Sequence, residues 1–324
     1  MFMHKFLYSI LLIIFFTSCN SSDSQSSNNA VLIPKYVYLV NGNGGILVCN
    51  FNSATNTLSS CTNPDLDNSL GVTGLQGITL NSNGDTAYIT LNEGTTNVYQ
   101  CRIQEDGTFS SCSSTSITTP TGYRGAYGVP FLNLAEDKIF LPDLFTGTER
   151  ILACPVTSNT IGETCSDTGA TGLPGSTGGM TLNKAESKAY IAGYSSSHVS
   201  VCDVSGNTFS NCVNKLGDGS ITFSSISDVH LNQEENLLYV VDYGADKVFA
   251  CSTIETNTTV FESCFIARSA ISAWEITINQ GDSLAFLTNY GDNVHVCPIN
   301  VDGTFAECTT TSGFVNVPGI ALKY

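Results

Sequence analysis

The chain is poor in positive charge. Its 324 residues carry 12 lysines and arginines against 28 acids, a formal net charge of −16. No basic stripe exists to neutralise phosphates, so nucleic acid is excluded as a partner. The acids are spread thinly and give solubility more than they name a partner. There is no G-x-S-x-G elbow, no Walker loop and no dinucleotide fingerprint. Gly42-Asn43-Gly44-Gly45 joins two strand-like pieces and has no helix behind it to receive a phosphate. The four histidines form no zinc set, and no cofactor is implied. No apolar run is long enough to span a bilayer comfortably; the longest, Phe6–Phe16, has eleven residues. Periodicity typical of a long helix is missing as well.

What the chain has in quantity is cysteine, and twelve of its thirteen cysteines fall into six regularly spaced pairs. One pair flanks Val98-Tyr99-Gln100-Cys101 and Asp106-Gly107-Thr108-Phe109-Ser110-Ser111-Cys112. Another flanks Val294-His295-Val296-Cys297 and Asp302-Gly303-Thr304-Phe305-Ala306-Glu307-Cys308. C-x-x-C never occurs, so disulfides in an oxidising compartment are favoured over zinc. Asp-Gly is a strong hairpin signal. With that dipeptide as the loop, Cys101 faces Cys112 and Cys297 faces Cys308. A three-residue loop with a bulge would shift the register by one and keep the pairing. The other four hairpins differ by a residue or two, which a turn can absorb, and pair Cys49 with Cys61, Cys154 with Cys165, Cys202 with Cys212 and Cys251 with Cys264. Strand alternation sets the residues three before each cysteine on the opposite face. These are Ile46 and Leu58, Val98 and Phe109, Ile151, Val199 and Phe209, and Val248 and Phe261, with Ile161 four before its cysteine grouped with them, all expected against a neighbouring unit of the fold. Each bridge closes a short loop and contributes about 2–3 kcal/mol in the chain-entropy picture.

Met1–Lys5 and the apolar run that follows have the form of a signal peptide. The run ends in Phe16-Thr17-Ser18-Cys19. Small residues before a cysteine at this place resemble a bacterial lipobox, with Phe16 where leucine is usual. The resemblance implies a lipoprotein: residues 1–18 removed, Cys19 acylated, and 19–34 a polar tether. It also accounts for the unpaired cysteine. Asn20 after the cysteine suggests outer-membrane sorting, with contact to the membrane through the lipid anchor.

From residue 35 to 324 the chain repeats with a period near fifty, four strand-like pieces per unit. The first piece is Gly77-Ile78-Thr79-Leu80-Asn81, Val129-Pro130-Phe131-Leu132-Asn133, Gly179-Met180-Thr181-Leu182-Asn183, Asp228-Val229-His230-Leu231-Asn232 and Glu275-Ile276-Thr277-Ile278-Asn279. The second is aromatic and aliphatic, as in Tyr38-Leu39-Val40-Asn41, Tyr239-Val240-Val241 and Phe286-Leu287-Thr288-Asn289. The cysteine hairpin supplies the third and fourth. These strands resemble the YVTN family of β-propeller repeats, to which the cysteines are an addition. Four strands per unit predict an all-β, six-bladed β-propeller. Gly319-Ile320-Ala321-Leu322-Lys323 matches a first strand and supplies the one the N-terminal unit lacks, which closes the ring and removes two sheet edges.

The connections from fourth to first strands differ most between units and share one face with those from second to third strands. Function is expected there. The residues where first strands begin form a ring at the channel mouth: Gln76, Asp228, Trp274 and Glu275, with Gly128, Gly178 and Pro318. Tyr123, Arg124 and Tyr127 lie in the loop before the third blade. His230 occupies a slot held by threonine in three other blades. These eight larger side chains, Gln76, Tyr123, Arg124, Tyr127, Asp228, His230, Trp274 and Glu275, are the candidate ligand site. The alternative, given more weight, is that Trp274 and the tyrosines pack between blades and Arg124 pairs with an acid. Asn41, Asp143, Asp242 and Asn289 end second strands on the same face, as a cation ring or, preferred, as caps. The expectation is a monomeric, lipid-anchored envelope scaffold that binds a protein or a glycan. The alternative is a propeller enzyme of lactonase or lyase type, which the resemblance also admits.

Overall fold

The computed structural model describes residues 32–324 except 43–44, 66–69, 71–73, 92–96, 121–124, 126–127, 144–149, 174–176, 195 and 255–258. Six antiparallel sheets form a six-bladed β-propeller. Blade 2 has the regular form: strands Leu75–Leu80, Thr86–Leu91, Asn97–Ile103 and Phe109–Ser116. Blades 4, 5 and 6 repeat it over 177–215, 226–269 and 275–312. Blade 1 is built from both ends of the ring: Gly319–Lys323 pairs with Tyr36–Asn41, setting Tyr36 opposite Lys323 and Val40 opposite Gly319. Blade 3 is the irregular one. Its first strand is cut to Phe131–Leu132, because Pro130 has no N–H for the ladder. Its fourth strand is two short pieces, Thr160–Ile161 and Ser166–Asp167.

We call the end of the ring that carries the fourth-to-first and second-to-third connections the upper end. The lower end carries the first-to-second turns and the cysteine hairpins.

All six expected disulfides are present, with Cα atoms 4.0–4.2 Å apart. The facing of their neighbours is half as expected. Ile46, Val98, Ile151, Val199, Val248 and Val294 do point away from the cysteine of their own strand, into the interface with the following blade. Leu58, Phe109, Ile161, Phe209, Phe261 and Phe305 do not: each shares its disulfide's side, in the interface with the preceding blade. The reason is one extra residue in the fourth strand. In blade 2 the loop runs Gln104 to Thr108 with Gly107 at φ 86°, and a bulge then restores register so that Cys101 still faces Cys112. Bulges also interrupt this strand pair in blades 1 and 4. A bulge reverses the face of everything beyond it. The disulfides therefore lie within the interblade core, and the six third-strand cysteines are fully buried.

Two further devices recur at the lower end. The asparagine that ends each first strand folds its side chain into the turn. Asn81 Oδ1 accepts from Asp85 N and Thr86 N at 3.0 Å each, and Asn183, Asn232 and Asn279 do the same four and five residues on. Lys323 holds that position in blade 1, where no turn follows. Next in the turns of blades 3 to 6 comes an acid in left-handed backbone: Glu136, Glu186, Glu235 and Asp282, at φ 53°, 48°, 57° and 50°. Each carboxylate accepts a backbone N–H from the turn of the preceding blade: Ser82, Leu134, Lys184 and Gln233 respectively. Blade 1 continues the circle differently. Its Tyr324 Oη accepts from Gln280 N at 2.8 Å. Blade 2 has Gly84 where the acid would be (φ 65°), and the Lys323 side chain packs over it.

Candidate functional site

The upper ends of the first strands converge into a throat. Gln76, Gly128, Gly178, Ser227, Asp228, Trp274 and Glu275 surround a void of about 10 Å³. Small residues allow the approach. A Cβ on Gly77 would stand 2.8 Å from Val129 Cα and Pro130 Cδ, and one on Gly179 would overlap Asp228 Oδ1. Below the throat the channel widens into a cavity of about 320 Å³. Thr79, Phe131, His230 and Thr277 line its wall, and the lower-end residues Asn83, Gly84, Gln280 and Tyr324 line its rim. The described channel thus narrows at the loop-rich end, where the sequence places its mouth, and widens at the other.

Asp228 and Glu275 are 5% and 3% exposed. The inner edge of a first strand faces the channel with no further strand to pair with, so its N–H groups need other acceptors. The two carboxylates meet that need across blades. Asp228 Oδ2 accepts from Ile276 N at 2.9 Å and Oδ1 from Val229 N at 2.8 Å, while Glu275 Oε2 accepts from Ile320 N at 3.1 Å. Blade 5 is so tied to blade 6, and blade 6 to blade 1. Burial pushes the Asp228 carboxyl up to about 7, against the pull of its two N–H donors. Burial, and then the charge of Asp228, raise Glu275 well above the ordinary carboxylate range. His230 is half-buried on the channel wall, and desolvation lowers it to about 4, so its imidazole is neutral at pH 7. A carboxylate pair with raised proton affinity beside a neutral imidazole can hold and exchange protons. Among the described residues, no three His, Cys, Asp or Glu side chains could share a metal ion.

Trp274 is 7% exposed and closes the throat from above. Three tyrosines meet it edge to face: Tyr290 at 4.1 Å between centroids, Tyr194 at 4.9 Å and Tyr243 at 5.6 Å. Sequence reasoning missed these three. Their signal was available: each lies just beyond the end of a second strand, after Gly193, Asp242 and Asn289, in blades 4, 5 and 6. Tyr243 is 37% exposed and Tyr194 and Tyr290 are half-buried, so the tyrosines rather than Trp274 present the aromatic surface. Tyr123, Arg124 and Tyr127, like Cys19 and the boundaries assigned to residues 1–18 and the start of the tether, lie outside the described residues.

At the upper ends of second strands, Asp242, Asn41 and Asn289 act as caps. Asp242 accepts from Ser224 N (2.7 Å), Ser225 N (2.9 Å) and Ala245 N (3.1 Å), which fixes the incoming loop of blade 5. Asn41 Oδ1 holds Val315 N at 2.9 Å and Asn289 Oδ1 holds Asn293 N at 3.2 Å.

No protein-family model and no curated protein matches the chain. Solved structures do share its fold. A chain of the nidogen–laminin complex is 11% identical with a TM-score of 0.65, over 89% of this chain and 98% of that one. The periplasmic gluconolactonase of Pseudomonas aeruginosa is 12% identical with a TM-score of 0.61, over 88% and 97%. A candidate 6-phosphogluconolactonase of Bacteroides uniformis is 13% identical with a TM-score of 0.58, over 88% and 98%. At these identities the likeness extends to the propeller fold alone.

Proposed function

We propose that the protein is an exported, lipid-anchored scaffold that binds a protein or a glycan through the upper face of its propeller. The observation that carries this reading is the aromatic cluster of Tyr194, Tyr243 and Tyr290 around Trp274. It sits on the end where the repeats stop agreeing, and tyrosine offers large, stiff, amphipathic contact area of the kind that dominates recognition surfaces. The six disulfides support export. The chain enters its first strand, Tyr36–Asn41, from the lower end, and Leu32 O accepts from Asn279 Nδ2 in the turn there. The described chain thus begins on the side of the ring away from the tyrosines. Residues 32–324, tested against panels of polysaccharides and envelope proteins, should show saturable binding that Tyr243→Ala weakens about tenfold or more. Absence of any binding, or binding indifferent to that substitution, overturns the reading. For the anchor, Cys19→Ala should release the protein in soluble form, and unchanged membrane retention would contradict it.

A second reading, lactone hydrolysis, is favoured by the fold shared with gluconolactonases. Its acid–base groups would be Asp228, Glu275 and His230. Against it stands the engagement of both carboxylates by backbone N–H groups of neighbouring strands. Turnover of gluconolactone or 6-phosphogluconolactone that Glu275→Gln abolishes would establish it in place of the first.

A further inference from the structure

The buried carboxylates have a second property: among the described residues, neither has a cationic partner. Among the described residues, three ion pairs occur, Lys138–Asp137, Arg150–Asp167 and Lys188–Asp203, and none involves Asp228 or Glu275. The lysine nearest the channel, Lys323, lies at its lower rim and donates to Gln104 O at 2.6 Å, on the blade 2 hairpin. A third polar group lines the same throat. Ser227 is 3% exposed, and its Oγ has no hydrogen-bond partner. Buried hydroxyls without a partner are rare and ask for one.

The space fits a particular shape of cation. The throat void of about 10 Å³ has the volume of one water-sized group. Asp228 and Glu275 border both this void and the cavity of about 320 Å³ beneath it. The cavity wall is mixed: Leu80, Val129, Phe131 and Leu322 are partly exposed apolar members beside Thr79, His230 and Thr277, and it reaches down to the lower rim. A metal ion asks for more side-chain ligands than this set provides. An ammonium head is the size of water, is fully satisfied by three acceptors, and leaves its carbon chain to the apolar members of the wall.

We propose that the channel binds a small primary alkylammonium compound, with its head at the throat between Asp228, Glu275 and the Ser227 hydroxyl and its aliphatic body in the cavity below. This site is independent of the upper-face reading and is entered from the opposite end of the ring. Burial raises the proton affinity of both carboxylates, so the bound ammonium replaces a proton and binding strengthens as pH rises through about 7.

The test uses the oxidised propeller and n-butylammonium as probe, by calorimetry and thermal shift at pH 8.5 and pH 5.5. Saturable binding is expected at pH 8.5, weaker by tenfold or more at pH 5.5. It should be absent for n-butanol, which has the body without the charge, and absent for tetramethylammonium, which has the charge without N–H donors. Glu275→Gln should weaken it tenfold or more. Because that substitution also touches a blade contact, Ser227→Ala provides a milder variant: it should fold as the parent does and bind several-fold more weakly. Three results each overturn the proposal: no binding of butylammonium to the folded parent, equal binding of butanol, and affinity unchanged in both variants. Calcium binding in place of butylammonium would overturn it in favour of a metal site.

Discussion

The two ends of the ring are built by different rules. At the lower end one arrangement repeats around the ring. An asparagine staples the turn in five of the six blades, and in four of these an acid in left-handed backbone reaches the turn of the preceding blade. Where the chain's own ends interrupt the pattern, Tyr324 takes the acid's part on one side and Gly84 with Lys323 fills the other. The upper end has no such uniformity. Caps differ from blade to blade, and aromatic residues gather in blades 4 to 6 alone. A periodic contact is what stability asks of a ring of equivalent units, since each unit must hold the next. Recognition asks for an aperiodic one. The difference supports the proposal that the upper face binds a partner, on a ring held together by its lower-end turns.

That division can be broken in several places. The largest effect should come from reducing all six disulfides. At about 2–3 kcal/mol each they contribute as much as the whole stability of an ordinary domain. Reductant should therefore remove the cooperative thermal transition seen by circular dichroism, and a transition unmoved by reductant would show that the bridges contribute little.

Second in size is the pH response of the throat. Asp228 has a folded value raised to about 7, so its contribution to stability is fully present below its unfolded value and is lost as pH rises through about 7. Glu275, raised by burial and by the charge of Asp228, acts in the same direction. His230, lowered to about 4, has the opposite sign: its contribution is present above the unfolded value near 6.5 and lost as pH falls toward 4. Between pH 6.5 and 8.5 the carboxylates therefore dominate, with a slope of up to about 1.4 kcal/mol per pH unit for each proton released. Denaturant melts should show stability falling across this window, and Asp228→Asn should flatten the fall. A parent protein whose stability is level from pH 6.5 to 8.5 contradicts the burial argument.

Breaking one lower-end clasp should cost less. Glu186→Ala leaves Leu134 N to solvent, and Tyr324→Phe leaves Gln280 N without its acceptor. Each should lower stability by about 1 kcal/mol, or about 2–4 °C in Tm, with no effect on upper-face binding. The smallest stability change belongs to Tyr243→Ala, whose ring is partly exposed: about 0.5–1 kcal/mol by the same melts, for a large loss of binding.

The blade count, the ring closure and the cysteine partners were legible in the sequence because each is printed several times over. A motif seen in six copies can be aligned with itself, and a missing first strand at one end matched a spare one at the other. Facing was less legible. Alternation from the cysteine gives Val98 correctly and Phe109 wrongly, because one inserted residue in the fourth strand leaves the hydrophobic pattern intact while reversing the side it serves. The convergence of Gln76, Asp228, Trp274 and Glu275 followed from equivalent positions in successive blades. Their bonding did not, because the inner edge lacks N–H acceptors only once the ring is assembled. Nor could the sequence tell which end of the channel is wide. That depends on how closely Gly77 and Gly179 let neighbouring strands approach, a consequence of three-dimensional packing at single positions. Tyr194, Tyr243 and Tyr290 were overlooked since a tyrosine after a strand reads as ordinary, and only its recurrence in three adjacent blades marks it.

The assignment of the two ends is tested most directly by measuring one binding curve with three proteins: the parent, the upper-face variant Tyr243→Ala and the lower-end variant Glu186→Ala. All three would be assayed against whichever polysaccharide or envelope protein the parent binds. Only Tyr243→Ala should lose affinity, about tenfold or more, while Glu186→Ala binds as the parent does despite its lower Tm. Equal affinity for the parent and Tyr243→Ala, or a loss seen in Glu186→Ala alone, would contradict it.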